Sequence, residues 1–111
     1  MEKTDVNTLK GFLDKWVNHQ IMITKEEDGV DRTLMSVHDV KIVERPESID
    51  GYVAPLVVQL HGEGYVIEGN RKVPLPGDRY DIALSDKSDV EMADKFCTIQ
   101  TERASYTFTL Q

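Results

Sequence analysis

The hydrophobic period of this chain changes once, early, and that change limits what it can fold into. Val6, Leu9, Phe12, Leu13, Trp16 and Val17 recur at helical spacing and define one apolar face, with Asn7, Lys10, Gly11, Asp14, Lys15 and Asn18 opposite. This predicts a helix over residues 5–17. Thr4 or Asp5 supplies a side-chain oxygen for the unpaired N–H groups at its start, and Asn18 tolerates the left-handed backbone that ends helices. Gly11 weakens the helix by about 1 kcal/mol relative to Ala, so packing must hold it, with Phe12 and Trp16 as anchors.

From Ile21 onward the period is two. Ile21 and Ile23 alternate with Met22 and Thr24, and Glu26-Glu27-Asp28-Gly29 reads as a hairpin turn in which Gly29 supplies positive φ. The run from Val30 to Glu44 is too long for one ordinary strand of about 5–6 residues, and its phase is lost near His38-Asp39. A bulge or tight turn is expected there, followed by a second piece through Val40, Ile42 and Val43. Arg45 to Gly51 reads as a loop. Residues 53–61 form the strongest strand, with Leu56, Val58 and Leu60 on one face and Val57, Gln59 and His61 on the other, and with Pro55 at an edge, a start or a bulge. Gly62-Glu63-Gly64 reads as a turn and Tyr65 to Glu68 as a short strand ending at Gly69-Asn70. The prolines of Val73 to Asp78 exclude a central strand, because they remove ladder donors. Arg79 to Leu84 alternates with Tyr80, Ile82 and Leu84 inward, and Ser85 to Asp89 is a polar loop. Ser88-Asp89-Val90-Glu91 matches a capping box and predicts a short helix over 89–95. Two strands, Phe96 to Thr101 and Tyr106 to Leu110, close the chain around a turn at Glu102 to Ser105.

Bulk composition narrows the partners. With 111 residues, 40% of them hydrophobic, the chain can bury one core, so a single globular domain over 1–111 is expected. The longest apolar run, Val53 to Val58, is far short of the roughly 20 residues that span a bilayer, and the polar start Met1 to Asp5 lacks an export-signal pattern. One cysteine, Cys97, excludes an internal disulfide and a thiolate zinc cluster, so a reducing, cytoplasmic setting is expected. Net charge is -7, and residues 77–94 hold six acidic side chains against Arg79 and Lys87. Such a surface repels phosphate backbones and anionic membranes; neither nucleic acid nor membrane is an expected partner.

The residues with metal-ligand chemistry are His38, Asp39, His61 and Glu63, since imidazole and carboxylate together suit zinc or a non-haem metal. A bulge would have to aim His38 and Asp39 at one ion, because strand neighbours point to opposite faces; the plainer reading is surface or cross-strand histidines. Ser36, His38 and Asp39 fail as a catalytic triad for the same reason, and no strained Gly-x-Ser-x-Gly elbow is present. Gly62, Gly64 and Gly69 lack the spacing and following helix of a phosphate loop. Asp86, Ser88, Asp89 and Glu91 lack the calcium-loop spacing. Asp78 and Asp81 diverge across a strand, which argues against paired-carboxylate catalysis. Cys97, beside Phe96 and Ile99, reads as a small buried hydrophobe. Trp16, Tyr52, Tyr65, Tyr80 and Tyr106 read as core or cross-strand partners.

One motif has a family likeness. A short helix followed by strands, with Asp28-Gly29 and Thr33-Leu34-Met35-Ser36-Val37-His38-Asp39, loosely resembles the first motif of Sm-like RNA-binding barrels, and Tyr65-Val66-Ile67-Glu68-Gly69-Asn70 echoes their second. The resemblance covers residues 5–82 and would imply a small RNA-binding barrel. Arg32-Thr33 stands where a Gly precedes Leu34 in that pattern, the RNA-contacting Asn after the Asp is missing, and Glu68-Gly69 replaces Arg-Gly, so no functional residue is carried over.

The expectation is an α+β domain: an N-terminal helix packed on a small antiparallel β-sheet or partly open β-barrel of about six to eight short strands. The function expected first is a non-enzymatic interaction or regulatory module, bound to a protein partner or to a second copy through strand edges, without a cofactor. The alternative is a small-molecule or metal-binding barrel, or an enzyme, using His38, His61 and Glu63 in a barrel mouth.

Overall fold

The apolar stripe at the N-terminus forms helix α1 (Val6–Asp14), in a computed structural model that describes residues 6–44, 56–84 and 88–111. Leu9, Leu13 and Trp16 are buried and Phe12 and Val17 partly so, as the spacing requires. The helix stops three residues earlier than predicted. Trp16 N–H donates to Leu13 and Val17 N–H to Asp14, so the last turn tightens to i→i+3 bonding. Asn18 then takes φ +70 and donates to the Val37 carbonyl at 2.7 Å, while Val37 N–H donates to His19 at 3.0 Å. The helix end is thereby tied to the middle of a strand. Thr4, Asp5 and the Arg45–Gly51 loop lie outside the described residues.

Among the described residues eight antiparallel strands follow: β1 (Gln20–Glu26), β2 (Val30–Glu44), β3 (Leu56–Glu68), β4 (Arg71–Pro74), β5 (Arg79–Leu84), β6 (Asp89–Met92), β7 (Phe96–Gln100) and β8 (Ser105–Leu110). Their order is β4-β3-β2-β1-β8-β7-β6, and β5 pairs with the first half of β3 along the edge that β4 covers further on. The fold class is the α+β one expected, with the sheet open rather than closed into a barrel. Pro74 sits on β4 at the sheet edge, where a missing donor costs nothing.

Two predicted elements differ. Residues 89–92 form β6, paired with β7, rather than a capped helix. Val90 and Met92 lie on one face and Asp89 and Glu91 on the other; that period-two pattern packs against β7, whereas so short a segment cannot repay helix nucleation. Gly62-Glu63-Gly64 is not a turn but the middle of β3. Val37 pairs with Gly62 and Asp39 with His61, leaving His38 as the extra residue of the expected bulge. A methyl group built on Gly62 would fall on the Ser36 carbonyl oxygen; on Gly64 it would fall on the Leu34 carbonyl and the Met35 side chain. The glycines are needed because β2 and β3 approach too closely for a Cβ, where the long hairpin bends.

The bend folds the sheet over its own concave face. β5 and β8 are separated in the strand order by β3, β2 and β1, yet Tyr80 and Tyr106 meet edge to face, with ring centroids 6.4 Å apart. Between the halves lies one core: Ile21, Ile23, Met35, Val37, Val40, Val58, Leu60, Ile82, Cys97, Ile99 and Phe108, closed at one end by Leu9, Leu13 and Trp16 of the helix segment.

Two glycine substitutions should move stability in opposite directions. Gly64→Ala is expected to cost about 1–3 kcal/mol by overpacking. Gly11→Ala meets nothing within 4 Å of the new methyl and should gain about 0.5–1 kcal/mol. Urea unfolding of the two variants checks both signs.

Candidate functional site

The concave face changes character along its length, and the change is written into the strands. Inward positions run Ile21, Ile23, Lys25 on β1; Met35, Thr33, Asp31 on β2; and Leu110, Phe108, Tyr106 on β8. On β3 and β5 the series end at Glu68 and Tyr80. At the polar end these side chains line a cavity of about 310 Å³. Thr33 forms part of its floor and, among the described residues, is the one buried polar side chain, 2% exposed. Lys25 Nζ stands 5.8 Å from the centre of the Tyr106 ring and 3.3 Å from the Glu27 carboxylate. Arg79 Nε is 2.9 Å from Asp81 Oδ1. Burial pushes the Tyr80 hydroxyl well above the usual phenol range, and the neighbouring Tyr106 and Asp31 add to this.

A second, larger concavity of about 830 Å³ opens where α1 leaves the far strands uncovered. Phe12 and Trp16 form one wall, rings edge to face at 5.0 Å, and Met92 and Leu110 form the other. Lys15 and Asp94 stand at the rim.

The histidines weighed as metal ligands line neither concavity. His38 is exposed at the bulge. His61 is half-buried, pairs across β3 with Asp39 and with Arg79, and has Nε2 3.1 Å from Gln59 Oε1. Asp39 Oδ1 accepts the Val40 N–H at 2.9 Å. Glu63 lies opposite Ser36, at a dimple of about 120 Å³ that neither histidine lines. Among the described residues no three His, Cys, Asp or Glu side chains gather to hold a metal ion, so His38, His61 and Glu63 do not form a barrel-mouth centre. Asp86 lies outside the described residues. Sequence reasoning missed Lys25, Asp31 and Tyr106. The available signal was phase: each continues the inward series of its strand, where an apolar residue would have been expected.

An open antiparallel sheet bent over its own core, with a helix at one end, a groove beside that helix and a polar mouth elsewhere, defines an α+β fold. The chain belongs to the YmzB-like protein family, whose model matches residues 1–111. It is 30% identical over 90 residues to Uncharacterized protein YmzB of Bacillus subtilis (strain 168), an alignment covering 80% of this chain and 76% of that protein. No solved structure matches it significantly. The family match spans the whole chain, and the sheet is not closed in the way that the Sm-like resemblance implied. Among the described residues no helix is long and apolar enough to cross a membrane.

Cys97 is fully buried, and burial pushes its thiol from the ordinary value of 9.0 up to about 12. The folded chain therefore keeps a proton that the unfolded chain releases above pH 9. Stability is intact below that point and falls as pH rises toward 12, approaching about 1.4 kcal/mol per pH unit. Denaturant melts between pH 9 and 10 should show stability falling, and Cys97→Ala, although less stable throughout, should make the fall shallower, leaving the part that the raised Tyr80 hydroxyl contributes near pH 10.

Proposed function

We propose that this protein is a non-enzymatic interaction module of a reducing, cytoplasmic setting. Its docking surface is the groove between α1 and the β6–β7–β8 end of the sheet, and its occupant is an amphipathic, basic segment of another protein. The observation that carries this reading is the composition of the groove: Phe12, Trp16, Met92 and Leu110 around a volume of about 830 Å³, enough for several aliphatic side chains. Charge bears on the partner: Asp94 stands at the rim beside Lys15, so the preference rests on the acidity of the chain as a whole. A net charge of -7 disfavours a second copy and favours basic residues flanking the apolar anchors.

Trp16 is the chain's one tryptophan, so its fluorescence and indole N–H resonance report on the groove without labelling. A leucine-lysine amphipathic peptide should shift both saturably, and a leucine-glutamate peptide of the same pattern should not. Met92→Arg should weaken the lysine peptide at least tenfold while leaving the fold intact, because Met92 is only partly buried. No saturable shift, or equal response to both peptides, would contradict the reading.

A further inference from the structure

The polar mouth between β5 and β8 is separate from the groove and has its own chemistry. Its two cations are already engaged: Lys25 by Glu27 and Arg79 by Asp81. Asp31 and Glu68 also line the cavity, and among the described residues neither has an ion-pair partner. Two aromatic rings stand with them, Tyr80 and Tyr106, fixed edge to face. The Tyr106 ring already has the Lys25 ammonium near it, which shows that its face suits an alkylammonium group. The inward positions of five strands turn polar at one level around this half-buried aromatic pair. The volume of about 310 Å³ is at the lower bound of small-molecule sites, roughly 300 Å³.

We propose that this mouth binds a small aliphatic diamine, with its ammonium groups on Asp31 and Glu68 and its methylene chain against Tyr80 and Tyr106. Carboxylates supply the charge, the rings supply apolar surface and a negative π face, and the Thr33 floor limits length. Lys25 is a built-in competitor, since its own ammonium occupies part of the space that the ligand's would take.

The test is NMR titration of the full chain with butane-1,4-diamine, read at the Tyr80 and Tyr106 ring signals. Saturable shifts of those rings are expected. Asp31→Asn with Glu68→Gln should weaken binding at least tenfold, and both are exposed positions where the fold should hold. Lys25→Met should tighten binding severalfold, an effect that a purely structural role for Lys25 would not produce. The same alkylammonium chemistry could come from a lysine side chain, so N-acetyl-lysine amide, with one ammonium, is the second probe. It should bind at least tenfold more weakly than the diamine. Equal affinity for the two probes, unchanged binding in the double variant, or no ring shifts would overturn the proposal. The groove's peptide response would be unaffected by any of these outcomes.

Discussion

Backbone lies against backbone where β3 crosses β2, and the rest of the molecule is arranged around that contact. Gly62 and Gly64 have no side chain to hold the Ser36 and Leu34 carbonyls away, and on the opposing strand His38 is the one residue too many. Missing volume on one strand and surplus length on the other both bend a hairpin that would otherwise be a long flat ribbon. A flat sheet of this size would need a second layer to cover its apolar face. Bent, it supplies that layer from its own chain: Val58, Leu60 and Ile82 come over Ile23, Cys97 and Phe108, and one short helix segment is enough to fill the end.

The same bend accounts for where binding surfaces can exist. Because β5 is carried over β8 without hydrogen-bonding to it, a seam remains, bridged by two tyrosine rings and lined by whatever the inward phase of each strand offers. Because α1 is only nine residues long, it fills one part of the core and leaves Met92 and Leu110 facing a groove. The helix does not float: its C-terminal turn is tied through Asn18 and His19 to Val37, one residue from the bulge. Helix position, bulge and glycine contact thus form one mechanical unit.

Much of this was legible from the residues. The helix stripe, the hairpin at Asp28-Gly29, the phase loss at His38 and the inward set Tyr80, Ile82 and Leu84 all follow from local periodicity, which is a near-neighbour property. What was not legible depends on residues distant in the chain. Gly62 and Gly64 look like turn glycines until Ser36 and Leu34 are set beside them. Ser88 to Glu91 satisfies a capping pattern and a strand pattern equally, and the presence of Cys97 and Ile99 across the ladder decides between them. Residue type singled out His38 and His61 only as alternative ligands, and neither lines a concavity; the polar mouth is lined by tyrosines, a lysine and carboxylates whose phase has to be followed along several strands.

The central claim is that one sheet folds back on itself and brings β5 against β8. Nuclear Overhauser contacts between the rings of Tyr80 and Tyr106 measure this directly, since no short path through the strand ladder connects them. The account predicts strong ring-to-ring cross-peaks in the unliganded chain. Cross-peaks from Tyr106 to Lys25 and Ile99 alone, its neighbours within the sheet, with none to Tyr80, would show an unfolded-over sheet and contradict it.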